Sequence, residues 1–135
     1  MTLVEVIVAL AISGLTVGAI VGGYCYSSAS TEESVLSVAA AAKAMDQIEQ
    51  TRSAKWDTAS WPAVDDLVVS NFPVQTVVLD RSGSGTGITY GTNFTQITQI
   101  STNPPLKRIR VDCVWVFRGS RLLTNSIETC RAPDQ

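Results

Sequence analysis

The chain has 135 residues, of which 10 are basic and 12 acidic, and its formal net charge is −2. This length allows one globular domain of about 80 to 110 residues once a long apolar segment at the amino terminus is set aside. The near balance of charge gives no support to wholesale nucleic-acid binding, and the absence of histidine excludes an imidazole-based active site. No constellation of nucleophile and base stands out either, so we do not expect an enzyme, a catalytic residue or a cofactor.

The first 26 residues form an almost unbroken apolar run that carries a single acidic side chain, Glu5, and no basic one. Such a run is long enough to cross a bilayer, because roughly 20 apolar residues in a helix span its hydrocarbon core. A carboxylate within the hydrocarbon is costly, by about 2.5 to 3.5 kcal/mol at the centre, and therefore needs a partner. We expect that partner to be an amine.

The start of the chain, MTLVEVIVALAI, resembles the mature amino terminus of type IV pilins and of the pseudopilins of type II secretion. The close match covers about 25 residues, and Thr2, Leu3 and Glu5 match the residues that follow the processed terminus in that family. The resemblance implies that Met1 is exposed by a prepilin peptidase and N-methylated. It also implies that Glu5 pairs with the amino group of Met1 on a neighbouring subunit, within a homo-oligomeric filament built by an inner-membrane assembly platform.

The helix is expected to continue beyond the apolar run, from about Thr2 to about Lys55, because residues 27–51 contain no proline or glycine. Apolar residues at three- and four-residue spacing predict the stripe that packs on a domain; these are Val35, Val38, Ala42, Met45 and Ile48. The first half of the helix should protrude. A second interpretation ends one helix at Gly22 and Gly23 and starts another at Ser30.

Gly14, Gly18 and Gly22 are four residues apart and share one helix face, which favours close approach of a neighbouring helix. The same glycines, with Gly23, weaken the helix by about 1 kcal/mol each relative to alanine. In filaments of the resembling family this region is often unwound, so an extended segment between Gly14 and Gly23 is the alternative there to a continuous helix.

A change to β-rich sequence follows residue 56, with runs at 74–79, 94–100, 106–117 and 121–127. In the third run, buried-type residues alternate with charged ones from Arg108 to Arg118. Residues 82–91, with four glycines, predict a flexible loop. The fold class is therefore α+β, a long amino-terminal helix packed on a small four-stranded antiparallel sheet, as in type IV pilins. The expected segments are the apolar helix 1–26, its amphipathic half 27–55, the connecting loop 56–73 and the sheet domain 74–135.

The resembling family has a late cysteine pair, and Cys113 and Cys130 lie in the segment expected outside the cytoplasm. We therefore predict a disulfide between them, which would stabilise by about 3 kcal/mol in an oxidising compartment. Cys25 is left over, and we interpret it as a small apolar residue buried within packed helices rather than as an intermolecular bridge or a reactive thiol.

Several weaker signals are set against plainer interpretations. Basic residues could contact phosphates of DNA, but neighbouring acids make a solvated sheet face the favoured interpretation; they are Lys107, Arg108, Arg110, Arg118 and Arg121. Asn93 begins a glycosylation triplet, for which a plain strand start is favoured. The glycines at 83–87 lack the lysine and helix of a phosphate loop. The acidic pairs at 32–33 and 65–66 do not form a calcium loop, so we expect no metal.

Three functions remain open at this point. The first is a subunit of a type IV pilus or related filament, held in the bacterial inner membrane as a precursor and then extracellular. The second is a minor pilin, or a pseudopilin of type II secretion in a periplasmic pseudopilus. The third is a single-pass membrane anchor that carries a binding domain and needs neither Glu5 nor a long protruding helix.

Overall fold

A computed structural model describes residues 2–81 and 87–134 of the chain, with the side chain of residue 81 left aside. By the density of contacts it divides into two units, Met1–Val35 and Leu36–Gln135. Helix α1, Leu3–Ser53, contributes to both and is helical throughout its 51 residues. The prediction of a continuous helix is confirmed for the single chain, and the interpretation that ended it at Gly22 and Gly23 is wrong. No proline interrupts α1, and the cost of two glycines is small against the bonds of a long helix.

A connector follows α1 and contains three short elements, β1 (Trp56–Asp57), β2 (Val64–Asp65) and the 3-10 helix η1 (Val69–Asn71). Strands β1 and β2 pair antiparallel, with Trp56 opposite Asp65. The connector packs a second core cluster against the sheet, made of Trp56, Leu67, Phe72 and Ile109. The segment predicted as a loop is thus a folded hairpin with its own apolar anchors.

The main sheet has four antiparallel strands in sequence order, β3 (Gln75–Arg81), β4 (Ile88–Thr102), β5 (Pro105–Phe117) and β6 (Arg121–Arg131). This confirms the α+β class and the four-stranded sheet. Strand β4 begins earlier than predicted, because residues 88–91 of the expected glycine loop pair with β3 and β5; residues 82–86 of that loop lie outside the described residues. A turn at 118–120 joins β5 to β6, with positive φ at Arg118 and Gly119, a conformation that glycine adopts at little cost.

Helix α1 packs on one face of this sheet, but with a different side from the predicted one. Its buried residues are Leu36, Ala40, Ala44, Gln47, Ile48 and Thr51, and of the predicted stripe only Ile48 is among them. The alanines face a row of bulky residues on β5, including Val111, Trp115 and Phe117. Small side chains let the helix backbone approach a sheet that already carries large ones. The most apolar stripe was therefore not the packing stripe.

Two asparagines fasten α1 to the sheet through its backbone. Asn125 on β6 donates to the Ser37 carbonyl and, at 3.0 Å, to the Ser37 hydroxyl, while Asn93 on β4 donates to the Lys43 carbonyl at 3.0 Å. Both lie in one row across the sheet, on either side of Cys113. Six helical residues rise about 9 Å, which matches two strand-to-strand steps of about 4.8 Å. The helix therefore crosses the strands at this row.

The predicted disulfide between Cys113 and Cys130 is wrong, because all three cysteines are free. Cys113 is buried on the helix side of β5, opposite Asn125, whereas Cys130 is exposed on the other face, opposite Arg108. Five residues of strand separate the two positions by about 17 Å, and a disulfide requires α-carbons within about 7 Å. Cys25, expected to be buried, is exposed in the isolated chain.

Candidate functional site

The amino-terminal end of α1 holds Thr2 and Glu5 in a reciprocal capping arrangement. The Thr2 backbone N–H donates to Glu5 Oε2 at 2.7 Å, and the Glu5 N–H lies 3.4 Å from the Thr2 hydroxyl and 3.1 Å from its carbonyl. This is the capping box formed by Thr-x-x-Glu, and it places the carboxylate at the positive end of the helix dipole. The Thr-x-x-Glu spacing is the sequence signature of this capping box. It gives Glu5 a partner within the chain, whereas the expected partner was an amine on a neighbouring subunit. Met1, the proposed source of that partner, lies outside the described residues.

The rest of the apolar half of α1 exposes large side chains along its whole length. They include Leu3, Leu10, Leu15 and Ile20. By length and composition the helix can cross a membrane. Monomeric soluble proteins rarely expose apolar surface of this extent. The amino-terminal helix therefore suggests membrane association or secretion.

Two hydroxyl groups in this half, those of Ser13 and Thr16, are satisfied within the helix itself. Ser13 Oγ donates to the Ala9 carbonyl and Thr16 Oγ1 to the Ile12 carbonyl, both at 2.8 Å. A polar group buried in an apolar medium without a partner would cost several kcal/mol. Because these two hydroxyls bring their own acceptors, they can enter lipid or a helix bundle without a polar partner there.

The predicted glycine face lies open. A β-carbon added at Gly14, Gly18, Gly22 or Gly23 would meet nothing within 4 Å. Packing inside the chain therefore does not account for these four glycines, and their face is available to a neighbouring helix. Whether this region unwinds in a filament stays a prediction, since the structure is that of a single chain.

The second half of α1 also presents apolar side chains away from the sheet. Val38 is 71% exposed, and Met45, seven residues further along the helix, is also exposed. Together with Ala42 they form a stripe at helical spacing on the side opposite the buried alanines. The stripe predicted to meet the sheet is thus an outward-facing surface.

A buried lysine ties the connector to the sheet. Lys107, 7% exposed, donates from Nζ to both oxygens of Asp65, at 2.7 and 2.6 Å, and to the Leu67 carbonyl at 2.8 Å. Its Nζ also lies 4.8 Å from the centre of the Trp56 ring. We call this set of contacts the Lys107 clamp. Lys107 was predicted to share the basic face with Arg108, and the structure places it on the helix side instead.

The beginning of the connector is fixed by two aspartates whose pKa values are lowered. Asp134 exchanges hydrogen bonds with the Trp56 backbone at 2.9 and 2.7 Å, and this bond together with one from Arg131 lowers the pKa of Asp134. Asp57 accepts from the backbone N–H groups of Ser60 and Ala59, which lower its pKa. These contacts hold the beginning of the connector and the turn that follows β1, while the Lys107 clamp holds β2.

The outer face of the sheet is less basic than the sequence pattern indicated. Arg110 Nε donates to Asp112 Oδ1 at 2.8 Å. Burial raises the pKa of Asp112, but hydrogen bonds from Ser126 and Arg110 outweigh it, so the pKa is lowered. Arg110 is thus engaged by a carboxylate on its own strand. The glycosylation reading of Asn93 is wrong for the folded chain, because this side chain is 2% exposed and bonded to the helix.

Comparison with known proteins adds no relative, since no family model, no curated protein and no solved structure matches the chain. The chain has a helix of 51 residues, apolar in its first half, packed on a four-stranded antiparallel sheet. This architecture is pilin-like. The amino-terminal helix combines a capped carboxylate with an open glycine face.

Proposed function

We propose that the chain is a structural subunit, and not an enzyme, that polymerises through α1 into an extracellular type IV pilus or pilus-like filament. The observation that carries the proposal is the single carboxylate of Glu5 at the start of the otherwise apolar, exposed first half of α1. Before assembly the subunit would lie in the bacterial inner membrane, after cleavage by a prepilin peptidase. An assembly platform would then move its helix from lipid into the filament core.

Helix packing in that core would use the open glycine face and the outward stripe of Val38, Ala42 and Met45. Transfer from lipid to a helix bundle returns little hydrophobic free energy, because lipid is already apolar. Close packing and polar pairing must therefore supply the specificity. Thr2 already occupies Oε2 of Glu5, so Oε1 is the oxygen proposed to accept from the Met1 amino group of a neighbour. The pair would neutralise two charges and set the axial register.

Two substitutions of Glu5 separate the contribution of its helix cap from the contribution of its charge to filament assembly. Glu5→Gln keeps an oxygen that can accept from the Thr2 N–H but removes the charge, and Glu5→Ala removes both. We expect both variants to insert in the membrane and to lower the yield of sheared filaments at least about tenfold, from cells that carry the assembly machinery. Glu49→Ala, which removes an exposed acid from the same helix, is the control and should assemble normally.

Normal filament yield from both Glu5 variants would refute this role for the carboxylate. Loss with Glu5→Ala alone would assign the effect to the helix cap. A minor pilin or pseudopilin is the alternative within the same architecture, and it predicts only traces of the chain in sheared filaments. A single-pass anchor for a binding domain predicts tolerance of every substitution at Glu5. DNA is a weaker candidate as a partner, because Arg110 is already paired with Asp112.

A further inference from the structure

Trp61, at the tip of the β1–β2 hairpin, is the most exposed large apolar side chain among the described residues, at 97%. The backbone on both sides of Trp61 is nevertheless held by hydrogen bonds. Asp57 Oδ1 accepts from the Ala59 and Ser60 N–H groups at 2.9 and 3.0 Å, and the Ser60 hydroxyl donates to the Pro62 carbonyl at 3.2 Å. The Lys107 clamp holds the other side of the hairpin. The turn that carries Trp61 is thus held by hydrogen bonds, while the indole itself is exposed to water. An exposed tryptophan on such a turn is typical of an interface anchor, since tryptophan is enriched at binding hot spots.

A groove lies on the outer face of the sheet, away from α1. Its volume is about 470 Å³. Five large apolar side chains line it and are exposed: Ile88, Tyr90, Phe94, Val116 and Leu122. The volume falls within the range of about 300 to 1,000 Å³ that holds small ligands, so it accommodates an indole ring. Thr92 also lines it and offers a hydroxyl to the indole N–H, which seeks an acceptor when buried.

The hairpin contacts one end of β5, and the groove is lined by residues at the other end. The clamp acts at Lys107, whereas the groove surrounds Val116, nine residues or about 30 Å further along the strand. Within one chain Trp61 does not fill the groove, since it is almost fully exposed. A second copy of the chain can supply the missing partner for each.

We propose that Trp61 of one copy inserts into the outer-sheet groove of the next copy, in a head-to-tail contact. The inference rests on the proposed filament, in which all helices enter from one membrane face and point the same way. Copies with parallel helices cannot meet through a two-fold axis perpendicular to them, so their domains must use two different surfaces. Each contact leaves one free Trp61 and one free groove, and the series therefore continues. The Trp61 contact would set the register of the sheet domains along the filament, just as the Glu5 pair is proposed to set the register of the helices.

Photochemical cross-linking of the full-length chain in detergent micelles tests the contact. Benzoylphenylalanine replaces Trp61 in one preparation and, as the control, Val69 in another; Val69 is also exposed and lies in the same connector. Unlabelled and ¹⁵N-labelled chains are mixed before irradiation, so that mass spectrometry separates adducts between chains from adducts within one. We expect dimers and higher species, with adducts in the peptides that carry Tyr90 to Phe94 or Val116 to Leu122, only from the probe at 61.

A change in the groove supplies the matched test. Leu122→Asp places a charge in the groove at a side chain that is 66% exposed, and should lower the cross-link yield at least about tenfold while leaving the fold intact. Ile100→Asp, at an exposed position on the same strand as Tyr90 but outside the groove, should have no effect.

Three results would overturn the contact: adducts that lie elsewhere on the chain, equal loss with both aspartate variants, or a closed dimer with reciprocal adducts and no higher species. Failure here is distinguishable from failure of the proposed function. Filaments that form without the Trp61 cross-link reject only this contact, whereas a cross-link in micelles from a chain that never enters filaments rejects only the filament.

Discussion

Removing the charge of Lys107 tests whether the clamp stabilises the domain. Lys107→Met keeps most of the aliphatic stem but deletes three hydrogen bonds to Asp65 and Leu67 and the contact with the Trp56 ring. Hydrogen bonds to charged groups contribute about 1.5 to 3 kcal/mol, and the buried Leu67 carbonyl is left unpaired. Asp65, which is half-exposed, regains water and reduces the loss. We expect the free energy of unfolding to fall by about 2 to 3 kcal/mol, or about 8 to 24 °C in Tm for a domain of this size.

Thermal unfolding of the full chain in detergent, followed by tryptophan fluorescence, is the appropriate assay because Trp56 lies inside the affected cluster. Asp65→Asn should cost less than Lys107→Met, and the double variant should cost less than the sum of the two, since they share one interaction. Arg52→Met is the control: it removes an exposed pair with Glu49 and should change stability by less than about 0.5 kcal/mol. A loss below about 0.5 kcal/mol for Lys107→Met would refute the reasoning.

Two further predictions concern the cysteines and acid. In the folded chain Cys130 should react with maleimide without prior reduction, whereas Cys113 should react only on unfolding, because it is buried and burial raises the pKa of its thiol; equal rates, or a need for reductant, would contradict the free-thiol assignment. The pKa of Asp134 is lowered below its ordinary 3.8 by the Trp56 backbone N–H and by Arg131, so its contribution is complete above that value and is lost as the pH falls through the folded pKa. Asp134→Asn should therefore flatten the dependence of Tm on pH below about 4, and a variant whose curve runs parallel to that of the wild type would count against this linkage.

The order of elements could be predicted from the sequence because it depends on local patterns. Fifty residues without proline predict the long helix, and alternation from Ile109 to Phe117 predicts β5 and its buried face. The side of α1 that packs could not be predicted in this way, since it depends on the partner. Trp115 and Phe117 fill the space above the sheet, so alanines at 40 and 44 fit there and the larger Val38 does not.

The candidate site was predicted unevenly for a similar reason. Glu5 stands out as the one charge in an apolar run, whereas its bond to Thr2 requires attention to capping. The disulfide was predicted from the layout of the resembling family and from the compartment, and neither shows which face of the sheet a cysteine occupies. Cys130 is five residues from Asn125, the residue opposite Cys113, and this odd separation places the two thiols on opposite faces. Lys107 was misplaced because of its charge. The alternation that puts Ile109 on the helix side of β5 puts Lys107 there too, and Asp65 on the connector supplies its partner.

Strand β6 lies at one edge of the sheet, and its free edge is a risk for aggregation when the chain is purified. It is eleven residues long, and among the described residues no strand pairs with its free edge. Its centre, residues 122–127, carries no charge and no proline, which makes it a template for strand addition and a hazard for amyloid-like association. Arg121 and Glu128 flank that stretch as charged gatekeepers. A chain proposed to polymerise through its helix can therefore also associate through the free edge of β6, without the order of a filament. We expect this association most in fragments that lack the helix.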